Sequence, residues 1–323
     1  MAIREWKNTT MITEFILLGF ETSSEFQIVL FMVFLAIYIM TMAGNILIIL
    51  LVAGDQRLHT PMYFFLGNLS CLEICYSSTV LLRMLVSLNT GERSISVNVC
   101  IGQFYFIASL VCTECYLLSI MSYDRYLAIC KPLHYAVLMH GGLCVQLASL
   151  SWLSGFLAIT IVMILMLQIS FCGSNEINTF FCDFTPLVKL SCSDTQVLKI
   201  MAFICSFTFS LIPFVLTLTS YVCIITTILR IQSSTGRQKA FSTCSAHLIV
   251  VTLYYGALIV VYMIPDSPSL KDMNKIFSLF YTVLTPLINP LIYSLRNKEV
   301  KEALRRDLTK LLSFTGIQKI LNY

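Results

Sequence analysis

The sequence predicts an all-α membrane protein, a seven-transmembrane helix bundle with a short amphipathic helix after the seventh span, and three observations carry that prediction. The first is composition: of 323 residues, 57% are hydrophobic and 12% charged, with a mean hydropathy of +0.83, outside the range of a soluble single-core domain. The second is run length: apolar stretches of about 20 residues or more, enough at 1.5 Å per residue to cross a ~30 Å hydrocarbon layer, recur along the chain. The third is the placement of Lys and Arg, which gather on one set of loops and the tail. A net charge of +4, localised in this way, leaves no footprint for nucleic acid, and the bilayer is the expected partner surface.

Residues 1–25 form a short N-terminal segment of mixed charge with one N-glycosylation acceptor pattern, Asn8-Thr9-Thr10. The apolar patch Phe15–Phe20 is too short for a signal-peptide core with a cleavage site behind it, so the first span is expected to act as its own insertion signal. Seven spans follow within a single domain, residues 26–295: Phe26–Val52, Pro61–Leu88, Val97–Tyr123, Leu143–Leu167, Val197–Leu229, Ser245–Ile264 and Ile276–Leu295. The loops are short apart from Gln168–Gln196, and no internal repeat joins the halves, which argues against a secondary transporter. With the N-terminus outside, the inner side holds Arg57, Arg125, Lys131, Arg230, Arg237, Lys239 and seven more from Arg296 to Lys319, thirteen of 21 in all. That excess predicts a multi-pass plasma-membrane protein with an extracellular N-terminus and a cytoplasmic tail, residues 296–323. Within the tail, Arg296–Leu312 alternates basic residues and leucines at helical spacing and is expected to lie on the inner leaflet.

Most of the 13 cysteines lie in apolar runs and read as small buried hydrophobes. Cys100, Cys172, Cys182 and Cys192 fall at the outer face, an even set in an oxidising compartment. Spacing does not choose among their three pairings; Cys100–Cys182 with Cys172–Cys192 is preferred because the first ties the long loop over the bundle and the second closes a hairpin within it.

The polar residues inside the spans carry the chemistry. Glu73 and Glu114 sit at similar depth near the midplane, and two carboxyls there cannot both stay ionised unaided. They are expected to face the interior and either share a proton or hold a sodium ion with Asn45 or Asn289 nearby; the plainer alternative is a pair of neutral acids hydrogen-bonded between helices. Arg125 follows Glu114 by eleven residues, about three turns, so one side of the third span is polar in its middle and charged at its inner end, Asp124–Arg125. Pro213, Pro265, Thr285-Pro286 and Asn289-Pro290 mark places where spans can kink. No HExxH, GxSxG or phosphate-cradling glycine loop is present, so an enzyme is not expected.

Longer motifs follow in order: TEFILLGF at Thr13–Phe20, GN at Gly44-Asn45, LHTPMYFFLGNLS at Leu58–Ser70 and MSYDRYLAIC at Met121–Cys130. SY at Ser220-Tyr221, KAFSTCSAHL at Lys239–Leu248, YYG at Tyr254–Gly256 and PLINPLIYSLRN at Pro286–Asn297 complete the series. In this order and on these spans the chain resembles an olfactory (odorant) receptor, a rhodopsin-like (class A) G-protein-coupled receptor, over essentially its full length. Gly67, Ser122, Ala246 and Glu73 depart from the family's commoner residues without removing any that the resemblance makes functional. The resemblance implies a receptor for small, mostly apolar volatile odorants that activates a stimulatory olfactory-type heterotrimeric G protein through cyclic AMP as the sixth helix moves outward. By the same resemblance Asp124, Arg125 and Tyr126 form an ionic switch, Tyr221 and Tyr293 steady the open state, Asn289 belongs to the switch, and Lys239 marks the moving inner end. The ligand pocket it implies lies in the outer half of the bundle. Phe104, Ala108, Val111, Cys112 and Cys115, recurring at helical spacing, are expected to form one wall. Cys205, Ser206, Phe209 and Ser210, then Tyr255, Leu258, Ile259 and Tyr262, then Leu279 and Thr282, would face it. That lining is apolar with a few hydroxyls and has no Lys or Arg, which suits a neutral ligand that gains affinity by leaving water. An amine or peptide receptor of the same fold is the alternative function, and a transporter a remote one.

Overall fold

A computed structural model describes residues 12–19, 24–263, 278–296 and 298–314. The Asn8 pattern and Pro265 lie outside them. Among the described residues, five helices are long and apolar enough to cross a membrane: α1 (Ser24–Gly54), α2 (Pro61–Thr90), α3 (Val97–Cys130), α4 (Gly141–Met166) and α5 (Gln196–Arg230). Two more carry shorter apolar stretches, α6 (Ser234–Met263) and α7 (Thr285–Arg296), and α8 (Lys298–Phe314) closes the described chain.

Local signals explain the ends. Pro61 opens α2, where a missing N–H costs nothing, and Gly91 ends it at φ 73, a left-handed position that favours glycine. The Ser96 hydroxyl caps α3 by accepting from the Val99 N–H, and the His140 ring does the same for Leu143 at the start of α4. Several helices overrun the expected spans: α3 continues past Tyr123 to Cys130, and α6 begins at Ser234 rather than Ser245. Apolarity marks the hydrocarbon layer, whereas backbone hydrogen bonding carries the helix on into water.

Two of the marked prolines coincide with a widened turn. α5 contains a π turn at Phe207–Leu211 just ahead of Pro213, and another, Phe280–Leu284, precedes Thr285-Pro286 at the start of α7. Both sit where the proline cannot donate to the helix ladder.

The all-α expectation needs one correction. β1 (Glu14–Leu17) lies between β2 (Ser94–Ser96), to which it is antiparallel, and β3 (Glu176–Ile177), to which it is parallel. The patch Phe15–Phe20 therefore contributes a strand. Phe15 is fully buried, its ring edge-on to Phe171 at 5.1 Å, in a cluster with Cys100, Phe104 and Cys182. Within the long loop, Cys182 is joined to Cys100 and Cys172 to Cys192, with Cα separations of 5.4 and 5.9 Å. Gln103 adds a second tie: its side-chain oxygen accepts from the Cys182 N–H at 3.0 Å while its amide donates to the Thr79 carbonyl on α2 at 3.0 Å.

Below this cap the main core joins α1 to α4 with α6 and α7. The α3–α4 crossing is close enough that a Cβ on Gly155 would stand 2.6 Å from Thr113 Oγ1 and 2.9 Å from the Ser109 carbonyl oxygen. α8 covers most of the basic, leucine-bearing stretch of the tail, and it is docked on protein. Val300 and Ala303 are buried in the core, Tyr63 donates to Glu299 at 2.6 Å, and Arg306 pairs with Asp55 at 2.5 Å.

Candidate functional site

Near the C-terminal end of α3, Asp124 is fully buried and its two oxygens are both engaged. Arg125 donates to Oδ2 from Nε (3.0 Å) and Nη2 (2.6 Å), and Tyr135, on the short helix Pro132–Leu138, donates to Oδ1 at 2.8 Å. Burial, followed by the Asp124 carboxylate beside it, pushes the Tyr135 phenol well above its usual value, so it stays a donor. The pair expected at a membrane face is thus held as a three-residue knot within the protein. Tyr126 stacks on Tyr123 with centroids 6.1 Å apart and packs against the small cluster that joins α3, α5 and α6. In that cluster Tyr221 is hydrogen-bonded to His247 Nδ1 at 2.7 Å, and His247 Nε2 is buried without a partner. Lys239 and Tyr293 have side chains outside the described residues.

Inside the bundle, Asn289 donates to Glu73 Oε1 at 2.5 Å, while Glu73 Oε2 and Glu114 Oε1 are buried without a hydrogen-bond partner. Asn45 is engaged otherwise: its amide donates to the Thr41 carbonyl within its own turn (3.0 Å) and to the Pro286 carbonyl on α7 (3.2 Å), so one hydrogen ties α1 to α7.

The expected ligand wall on α3 divides between two environments. Phe104 and Ala108 belong to the outer cluster, the Phe104 ring 6.1 Å from Phe184 of the long loop, whereas Val111 and Cys115 pack in the main core and Cys112 is half-buried. Across from them, Phe209 lies edge-on to Tyr116 at 5.3 Å and Ser210 is half-buried, but Ser206 is exposed. Cys205 turns its thiol to the Ala158 carbonyl on α4 at 3.9 Å, so it helps to seat α5 on α4. Leu258 is buried and Leu279 half-buried against the core, and the Thr282 hydroxyl donates to Ser278 O at 2.7 Å within its own turn. Ile259 and Tyr262 have side chains outside the described residues.

A tyrosine pair joins α3 to α6. Tyr255 donates to the Cys115 carbonyl and Tyr254 to the Val111 carbonyl, both at 3.1 Å, and the Tyr254 hydroxyl also lies 3.5 Å from the Cys115 sulfur. Phe214 packs on Tyr255 at 5.1 Å. The sequence marks Tyr254 within the YYG motif but assigns only Tyr255 to the ligand wall, although adjacent helix positions lie about 100° apart and both can reach one neighbour. His247 and Tyr135 were also passed over; His247 stands within KAFSTCSAHL, a motif already marked, while nothing local distinguishes Tyr135.

These features define a polytopic helical membrane protein whose buried ionic knot and aromatic junction converge on three neighbouring helices. The family model described as "Olfactory receptor" matches residues 34–311. Human olfactory receptor 11L1 is 50% identical over 306 residues, covering 95% of both chains, and human olfactory receptor 6B1 is 48% identical over 303 residues, 94% of this chain and 96% of that one. Mouse olfactory receptor 5AP2 is 50% identical over 305 residues, 94% of this chain and 95% of its own. The chain belongs to the olfactory receptor family. It is therefore a multi-pass plasma-membrane receptor of the odorant class, and the family is one of G-protein-coupled receptors, not of enzymes.

Proposed function

We propose that this chain is a seven-span odorant receptor, N-terminus outside, that binds a small and mostly apolar volatile molecule beside the Tyr254–Tyr255 junction and activates a stimulatory olfactory-type G protein through cyclic AMP. The observation that carries this reading is that the Tyr254 and Tyr255 hydroxyls of α6 donate to backbone carbonyls of α3 one helical turn apart. A ligand entering between Phe104, Val111 and Cys112 on one side and Leu258 on the other would disturb those two bonds directly. Each is worth about 1 kcal/mol net, so weakening both changes the balance between a closed and an outward-swung α6 by one to two orders of magnitude. At the inner end the same movement would part His247 from Tyr221 and open a path for the G protein to Arg125, which Asp124 holds until then.

Glu73 and Glu114 would share a proton or hold a sodium ion. One unpartnered carboxyl oxygen on each, with Asn289 on the other Glu73 oxygen, supports either arrangement, a shared proton or a small cation between the two acids. Glu73→Gln and Glu114→Gln would then abolish any sodium sensitivity of the response, and a response equally sensitive to sodium in both variants would remove the ion from the scheme.

The function is tested by cyclic AMP in cells expressing the receptor with a stimulatory olfactory-type G protein, challenged with pooled volatile odorants beside Arg125→Ala at matched surface expression. A rise lost in the variant supports receptor and switch together; a rise unchanged by Arg125→Ala overturns the switch, and no rise to volatiles but one to amines or peptides overturns the ligand class.

A further inference from the structure

We propose that Tyr63 is a positioning residue for the arginine switch: held by α8, it steadies Arg125 in its place beside Asp124, and release of α8 loosens that hold. Tyr63 stands in the first turn of α2, 4% exposed, and its hydroxyl donates at 2.6 Å to Glu299 Oε2 in the first turn of α8. A hydrogen bond to a carboxylate is of the stronger, charge-assisted kind, and it draws negative charge onto the phenol oxygen. That phenol is within electrostatic reach of the Arg125 guanidinium, two of whose nitrogens donate to Asp124. Only 13% of the Arg125 side chain is exposed, so water screens the attraction poorly. Packing follows the same route, because Val300 and Ala303 of α8, Tyr63 of α2 and Leu127 of α3 share one buried core. Arg306 gives α8 a second grip, on Asp55, which in turn accepts from the Arg57 N–H in the turn leading into α2. α8 therefore holds the start of α2 at two points, and the buried one, Tyr63, carries the hold on to Arg125. This role presupposes that Arg125 is the switch toward the G protein, as proposed above.

Two measurements on the full-length receptor test it: basal cyclic AMP per surface receptor in cells, and amide exchange over residues 234–247, the start of α6, in nanodiscs without G protein. The variants are Tyr63→Phe, which keeps the ring and its packing, Arg306→Gln, and the two combined. Tyr63→Phe is expected to raise the basal level about fivefold and to quicken the exchange. Arg306→Gln should act in the same direction but add nothing once Tyr63 is Phe, a non-additivity that a general loss of stability would not produce. Effects that simply add overturn the route through Tyr63. Exchange unchanged in Tyr63→Phe overturns the role altogether, and if pooled volatiles still raise cyclic AMP in that variant the receptor reading survives without it. Exchange quickened by Tyr63→Phe in a receptor silent to every volatile supports the link from α8 to the switch and counts against the ligand class instead.

Discussion

Tyr221 shows how one hydroxyl can distinguish two accounts of the switch. Its hydrogen bond to His247 joins α5 to α6 in the arrangement where Asp124 holds Arg125, which the proposed function takes as the closed state. Tyr221→Phe leaves His247 with neither ring nitrogen partnered, a loss of about 1 kcal/mol that should raise basal cyclic AMP up to about fivefold. If Tyr221 acts only after α6 has moved, the same variant leaves the basal level flat and lowers the odorant-evoked maximum instead. The sequence named Tyr221 through a two-residue motif but not its partner, since no periodicity tells which residue of α6 will face a given residue of α5. The same holds for Asp124: its adjacent arginine was legible, whereas Tyr135, eleven positions on and past a helix end, was brought to it by the turn at Lys131.

Among elements, the α3–α4 contact depends on an absent side chain. Gly155→Ala would force a methyl within 2.9 Å of the Ser109 carbonyl oxygen and 3.1 Å of the Thr113 nitrogen, and backbone atoms cannot turn aside. The helices must separate at a cost of about 1–3 kcal/mol, seen as a lowered unfolding temperature and reduced surface expression. Adding Thr113→Ala should not restore either, because the obstruction is main chain; full rescue would show that the threonine hydroxyl alone set the spacing. The docking of α8 has its own signature. Arg306 beside Asp55 holds that carboxyl below its ordinary value, so the contact is complete above the usual carboxylate range near pH 4 and is lost as pH falls through the lowered value. Amide exchange over residues 298–314, corrected for intrinsic rates, should stay constant from pH 8 to 5 and quicken only in stronger acid; quickening between pH 7 and 5 would contradict this assignment. The spans themselves were readable because a ~30 Å apolar layer demands long apolar runs. The π turns and the strands of two to four residues were not, since each depends on partners remote in sequence.

For the molecule as a whole, the outer cap closes the bundle from above. Cys100–Cys182 spans 82 residues, and cross-linking so long a loop restricts the unfolded chain strongly, by about 4–5 kcal/mol on the chain-entropy account. Cys182→Ser should therefore lower the unfolding temperature and surface yield more than Cys192→Ser, whose loop spans 20 residues. Equal losses would mean that the cap is held mainly by Gln103 and the sheet. That sheet also sets a schedule for biosynthesis. Phe15 emerges from the ribosome long before its neighbours Ile95 and Phe171, and β1 pairs with a strand made some 160 residues later. Until the fourth helix and the loop after it have been synthesised, this early apolar segment lacks the partners against which it pairs and packs, so its folding waits on more than half of the chain.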